Sequence, residues 1–320
     1  MLFEDISAGR VENISRLSAE DKALFEDLLK RGRQNPLDYS NCWEYLIQST
    51  FFDSFKFWDG KNFVAFTVHR PNSLPFVITK AVGSNPRAAI LQVAHLLREI
   101  SGEKVIVKNL SEYDFEFLEK NGFEDYREPE GWNKFCRYDD DTFPEPVIDL
   151  AKTLSLKGKK LKLLRYRLRR LKQPLEVKLY DPLRDFSDAK IVLDKWSKDI
   201  AKRFSQVIKQ DKIFLHSVDL HRKFMENNGG KSLLFYLNGR PVGFSLIAPI
   251  SHEAVAVYSI MCDNEIEGLS ETVYYETMKK AFEAGYKYCN LGGSEFESLH
   301  NYKLKFAPFT FVRKRHAVLY

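Results

Sequence analysis

The sequence predicts an α+β protein: two tandem copies of one plan, joined by a basic helix. Three observations carry that expectation. Strand, turn and helix signals recur at a spacing of roughly 180 residues, and such self-similarity points to a repeated unit. Each copy opens on a hairpin signal, Asp59-Gly60 in the first and Asn238-Gly239 in the second. Between the copies, the stretch from Lys152 to Lys172 holds ten basic residues and no acidic one. A chain of 320 residues has room for two domains of ordinary size. The expected division is 1–143, a linker with the basic helix at 144–173, and 174–320.

Bulk composition narrows the class. Hydrophobic residues at 44% and aromatic residues at 14% exclude a disordered chain. The net charge is only +5, so the basic stretch is a local concentration on a balanced surface. Cys42, Cys136, Cys262 and Cys289 are scattered without a C-x-x-C pair, so neither a metal site nor a disulfide framework follows, and a reduced, cytoplasmic setting is expected. Met1-Leu-Phe-Glu-Asp has no basic region leading an apolar run, which predicts no signal peptide. Apolar runs fall short of a membrane span, so no integral membrane segment is expected.

The elements follow in order. Trp58-Asp-Gly-Lys-Asn-Phe-Val-Ala-Phe reads as a turn entering a strand, and Leu237-Asn-Gly-Arg-Pro-Val-Gly-Phe reads the same way. Asp59-Gly60 and Asn238-Gly239 supply the positive φ angles of tight hairpins. A first amphipathic helix is expected from about Pro86 to Ile100, with Ile90, Val93, Ala94 and Leu97 inward. Pro86 suits its first turn, where the missing N–H is harmless. The second helix is expected from about Leu269 to Ala284, with Val273, Met278, Ala281 and Phe282 inward. Next, Lys104-Val-Ile-Val-Lys-Asn-Leu-Ser-Glu-Tyr is echoed by Lys287-Tyr-Cys-Asn-Leu-Gly-Gly-Ser-Glu-Phe. Each Ser-Glu pair leads into a helix, the first ending at Asn121-Gly122. Aromatic strands around Phe135 to Tyr138 and Phe309 to Val318 close the two copies. Asp139-Asp-Asp and Pro144-Glu-Pro mark the boundary. Hairpin, strand, helix, strand, helix, strand is the plan of a GCN5-related acyltransferase.

Leu161, Leu164, Leu168 and Leu171 form one helical stripe inside the basic stretch. One face is therefore expected in a core and the cationic face outward. A solvated face ordinarily mixes charge signs, because like charges at i, i+4 repel by a few tenths of a kcal/mol. With no acidic relief inside the stretch, an external polyanion is the economical partner, and tRNA is the expected one. Lys157, Lys159, Lys160, Arg165, Arg167 and Arg170 are the expected phosphate contacts.

Gly158-Lys-Lys-Leu-Lys-Leu-Leu-Arg-Tyr-Arg-Leu-Arg-Arg-Leu resembles the G-K-K-x-x-x-x-R-N helix of proteins related to the C-terminal domain of phosphatidylglycerol lysyltransferase. Asn290-Leu-Gly-Gly-Ser-Glu and Leu299-His-Asn-Tyr-Lys-Leu-Lys-Phe-Ala-Pro resemble that family's final block, and the resemblance runs from Leu17 to about Phe311. Tyr166 stands where the family helix commonly has Asn, and Gly292-Gly293 replaces a more charged stretch. The resemblance implies a tandem acyltransferase fold, similar to that of Fem-type transferases. It also implies transfer of an aminoacyl group from aminoacyl-tRNA to a hydroxyl or amine acceptor of unknown identity, with no bound cofactor.

An aminoacyl ester is already activated, so positioning and charge stabilisation can supply most of the rate. Within the final block, Lys303 is expected to bind a terminal phosphate or stabilise an oxyanion, with Lys305 beside it. Two exposed lysines flanking buried Leu304 on a strand is the plainer alternative. Glu295 is a candidate general base or amino-group ligand, against a plain role at a helix start. Ser294 reads as a helix cap rather than a nucleophile. The seven histidines show no metal or triad spacing. A coenzyme A donor is the alternative. Gly83-Ser-Asn-Pro-Arg-Ala-Ala and Glu267-Gly-Leu-Ser each offer one glycine before a helix, short of the full pyrophosphate loop. A non-catalytic module binding RNA or anionic membrane is the third reading.

Overall fold

Both hairpin signals fold as hairpins, and each seeds a seven-stranded sheet. The computed structural model describes residues 11–32, 34–48, 53–68, 76–126, 143–203, 232–294 and 297–320. In chain order, the first part forms β1 (Ile14–Arg16), α1 (Lys22–Arg31), α2 (Trp43–Gln48), β2 (Asp53–Trp58), β3 (Asn62–Val68), β4 (Phe76–Gly83), α3 (Pro86–Ser101), β5 (Val105–Leu110), α4 (Glu112–Glu119) and β6 (Glu124–Asp125). Then come β7 (Glu145–Asp149), α5 (Leu150–Leu154), α6 (Lys162–Leu168), β8 (Glu176–Leu179), α7 (Pro182–Arg203), β9 (Ser232–Leu237) and β10 (Arg240–Pro249). The chain ends with β11 (Ala254–Cys262), α8 (Leu269–Glu283), β12 (Tyr288–Asn290), α9 (Glu297–Leu304), β13 (Thr310–Val312) and β14 (Arg315–Leu319).

The first unit comprises Met1–Gly131 with Arg313–Tyr320, and the second Trp132–Val312. This differs from the expected 1–143, 144–173 and 174–320 in two respects. The basic stretch is part of the second unit, because Leu161 and Leu164 are buried in its core. The last strand, β14, belongs to the first unit.

The sheets repeat one order. The first runs β1-β2-β3-β4-β5-β14-β6 and the second β13-β7-β12-β11-β10-β9-β8. In each, a single parallel pair, β4 with β5 or β11 with β12, sits among antiparallel neighbours. The aromatic strand expected over 309–318 is thus two strands: β13 pairs with β7, and β14 pairs with β5. The counterpart expected at Phe135 to Tyr138 lies outside the described residues.

A bulge marks the same place in both sheets. On β4, Lys80 faces Ala65 and Ile78 faces Phe66, leaving Thr79 without a cross-strand partner. On β11, Ser259 faces Leu246 and Val257 faces Ile247, leaving Tyr258 so. The parallel pairing stops within a residue or two, at Ile78–Val107 and at Ala256–Asn290. Bulges re-aim the chain and end ladders, so each sheet splits open there.

Helices pack as their periodicity requires. Ile90, Val93, Ala94 and Leu97 of α3 are buried against the first sheet. Deleting the Leu97 side chain would cost about 2–5 kcal/mol, the usual loss for a buried leucine. On α8, Val273, Met278 and Ala281 are buried, but Phe282 is 46% exposed. One residue past Ala281 is a rotation of about 100°, which carries Phe282 off the buried stripe.

The basic stretch is not one helix. It is α5 and α6, broken where Leu156 and Gly158 take positive φ angles of 54° and 88°. The Arg165 guanidinium donates to the carbonyls of both residues, 2.9 Å to that of Gly158. The apolar stripe survives the break, with Leu168 and Leu171 half-buried beside Leu161 and Leu164.

Candidate functional site

Where β11 and β12 part, Asn290 is fully buried and organises the turn that follows. Its amide donates to the buried carboxylate of Glu145 on β7 at 2.7 Å. Its carbonyl oxygen accepts from the Gly292 N–H at 2.8 Å. Gly292 takes φ +69°, a left-handed angle that glycine adopts without strain. The turn thereby presents two carbonyls to one ammonium: Lys303 donates to Gly292 O at 3.1 Å and to Gly293 O. Lys303 is only 4% exposed. A buried cation is tolerated only when such acceptors replace its water.

Lys303 therefore lies on the inner face of a helix, α9, not on a strand. Leu304, buried between two exposed lysines in the plainer alternative, is 37% exposed. Lys305, just past α9, pairs with the buried carboxylate of Glu271 at 3.0 Å and sits 4.2 Å from the centre of the Tyr302 ring. The Tyr302 hydroxyl is 2.7 Å from Ser270 Oγ. Burial, then the neighbouring Tyr274 and Glu271, hold the Tyr302 phenol well above its usual proton affinity, so it stays neutral. Burial and the nearby Lys303 charge depress the proton affinity of His300. Its ring stacks on Phe143 at 5.0 Å.

Ser294 does not cap α9 in the expected manner. Its carbonyl accepts from the Phe143 N–H at 3.1 Å, and its buried hydroxyl finds no acceptor among the described residues. Glu295 lies outside the described residues. Asn290 heads the block that carries the family resemblance but was given no role from sequence, and Glu145 and Glu271 were not singled out. An Asn four positions before a Ser-Glu pair, with a Gly-Gly turn between, is the signal that bears on the first of them.

The β11–α8 loop brings the basic stretch to the start of α8. Gly268 precedes α8 at φ +79°. A Cβ there would lie 2.6 Å from Arg167 O and 2.9 Å from Leu171 N. The backbone after α6 thus covers the helix start. Arg170 forms a two-pronged pair with Glu267, 2.7 Å from Nε and 2.6 Å from Nη2, with Arg167 at 3.9 Å. Hydrogen bonding to Arg170 holds the Glu267 carboxyl below its usual range.

Three of the six expected phosphate contacts have partners within the chain. Arg170 and Arg167 have Glu267 as an internal partner, and Arg165 closes the turn between α5 and α6. Sequence separation hid this carboxylate, because Glu267 lies 97 residues from Arg170. Lys157, Lys159 and Lys160 are exposed and form no ion pair among the described residues. Lys162, Arg169 and Lys172 extend that surface. The starts of α3 and α8 thus differ from an open pyrophosphate grip: in the first unit, Asn85 caps α3 by accepting from Ala88 N, and Pro86 has no N–H to offer.

No helix among the described residues is long and apolar enough to cross a membrane. Residues 50–317 match the family described as phosphatidylglycerol lysyltransferase, C-terminal. No curated protein matches the chain. A solved structure of a conserved protein of unknown function from Bacteroides thetaiotaomicron is 18% identical, with a TM-score of 0.75 over 96% of this chain and 99% of that one. The structure of L-PGS from Bacillus licheniformis is 16% identical, with a TM-score of 0.63 over 94% and 92%. A C-terminal domain assigned to a lysylphosphatidylglycerol synthetase from Agrobacterium fabrum is also 16% identical, with a TM-score of 0.64 over 94% and 92%. The fold is that of two tandem GCN5-related N-acyltransferase-like domains. With more than four fifths of its length matched, the chain belongs to the phosphatidylglycerol lysyltransferase C-terminal family, a family of acyl-group transferases.

Proposed function

We propose that this chain transfers an aminoacyl group from aminoacyl-tRNA to a hydroxyl or amine acceptor. The covered start of α8 carries the choice of donor. A coenzyme A donor calls for free N–H groups at a helix start to hold its pyrophosphate. Here Gly268, just before α8, is buried against the Arg167 carbonyl and the Leu171 nitrogen, while Lys157, Lys159 and Lys160 offer exposed charge to a longer phosphate backbone. Membership of the lysyltransferase family favours the same donor.

The chemistry required is modest. The acceptor oxygen or nitrogen attacks the ester carbonyl, the C–O bond to the terminal ribose breaks, and the acceptor's proton ends on the ribose oxygen. Lys303, a fixed positive charge at the split between β11 and β12, is assigned to stabilise the oxyanion. Such a donor in a dry site is worth about 10²–10³-fold in rate. Glu295 is assigned the base or amino-group recognition role. Lys305 holds Glu271 and so positions the surrounding side chains.

The test is incubation of the full chain with a pool of labelled aminoacyl-tRNAs and vesicles containing phosphatidylglycerol, whose headgroup hydroxyl is the first acceptor to try, alongside a cell extract. Label leaving tRNA for an acceptor supports the reading. Transfer from acetyl-CoA with none from tRNA overturns it.

A further inference from the structure

A cavity lies wholly within the first unit, and nothing in the proposed transfer uses it. It measures about 820 Å³ and opens where β4 and β5 part, at the carboxyl ends of that parallel pair. That volume falls within the range of pockets that hold small molecules, and the carboxyl ends of parallel strands are where open α/β sheets place them. Two local distortions build the opening. Thr79 is bulged out of β4, and Asn109 on β5 takes φ +60°. The Asn109 side chain donates to Thr79 O at 3.3 Å and ties the two strands across the split.

The lining combines apolar walls with an excess of cations. Ile78, Ile90, Val107 and Leu110 are buried side chains along it. Arg31, Lys80, Arg87 and Lys108 contribute positive charge, against the carboxylates of Asp38 and Asp114, and Arg31 is also paired with Asp27, outside the lining, at 2.6 Å. Both carboxylates are already engaged. Asp38 accepts from Lys80 at 3.3 Å, from Ser40 at 2.7 Å and from Lys314. Asp114 accepts from Ser111 at 2.6 Å and pairs with Arg87 at 3.3 Å. Lys80 is 7% exposed, and burial together with the charge of Lys314 lowers its proton affinity despite Asp38. An incoming anion would offset the repulsion from Lys314.

We infer that this cavity binds a small organic anion, with its carboxylate or phosphate toward Lys80 and Arg87 and its apolar body along Ile78 and Val107. Arg87 already lies 4.1 Å from the centre of the Tyr113 ring, which holds the guanidinium at the rim. The asymmetry of the lining carries the inference. A cavity built only for packing would be closed by side chains, and one built for a cation would present its carboxylates unpaired.

The test is thermal-shift and calorimetric titration of the full chain with hexanoate, hexyl phosphate and hexylamine at constant ionic strength. Saturable stabilisation by hexanoate or hexyl phosphate, and none by hexylamine, is expected, and comparison of the two anions tells carboxylate from phosphate. Arg87→Gln, at the rim, should weaken that binding about tenfold or more while leaving the fold intact, the usual loss for one charge-assisted hydrogen bond. Lys80→Met should do the same where it folds. Absence of saturable anion binding overturns the inference, as does binding that Arg87→Gln leaves unchanged.

Discussion

The Gly268 α-carbon is packed against the Arg167 carbonyl so closely that an added Cβ would sit 2.6 Å from the oxygen. No side chain fits there, and the φ of +79° is itself a glycine angle. Two parts of the chain far apart in sequence, the end of α6 and the start of α8, are thus locked together by the absence of one carbon atom.

Gly268→Ala should therefore destabilise the second unit by about 2–4 kcal/mol, summing left-handed strain with backbone overpacking. Gly60→Ala, at φ +86° with nothing within 4 Å, isolates the strain alone and should cost about 1–2 kcal/mol. Urea unfolding of both variants checks the difference. Equal losses would mean the contact at Gly268 is relaxed in solution.

The exposed and the paired cations should behave differently. Replacing Lys157, Lys159 and Lys160 together with Glu should weaken tRNA binding and reduce the slope of log affinity against log salt by about 2–3, one released counterion per lost contact. Arg170→Gln should change the slope little, because Glu267 already neutralises that charge. Filter binding at several salt concentrations distinguishes the two sets.

Asp38 gives a pH signature. The Lys314 and Lys80 ammoniums outweigh its burial and hold its carboxyl far below the usual range in the folded chain. Its contribution is present above the unfolded value of about 3.9 and is lost as pH falls from there toward the folded value. Lys80 has the opposite sign: its proton affinity is lowered by folding, so its penalty stands at neutral pH and fades in alkali. Asp38→Asn should cost about 3–5 kcal/mol at pH 7, the usual result of stranding a buried charge. That cost should shrink once the pH drops below about 4. A gap of constant size from pH 7 to pH 3 would show that folding does not shift the proton affinity of this carboxyl.

Much of this was legible in the sequence wherever a signal is local. The hairpins at Asp59-Gly60 and Asn238-Gly239, the bounds of α3 and α8, and the leucine stripe through Leu161 and Leu164 all follow from turn chemistry and a 3.6-residue period. What escaped depends on partners distant in the chain. Lys303 looks exposed until the Gly292 and Gly293 carbonyls are brought to it. Arg170 looks unpaired until the β11–α8 loop delivers Glu267. Gly158 breaks the basic stretch into two helices, where the uniform charge on either side of it reads as one. The bulges at Thr79 and Tyr258, which open both sheets, exist only in cross-strand register and leave no trace along a single strand.

The most direct measurement is single-turnover transfer of label from aminoacyl-tRNA by the full chain and by Lys303→Met, with folding of the variant checked by circular dichroism. The account predicts label on an acceptor with the native chain and a rate about 10²–10³-fold lower with the folded variant, the range for loss of one oxyanion donor. Equal rates from both proteins, or label that never leaves tRNA in the presence of the native chain, would contradict it.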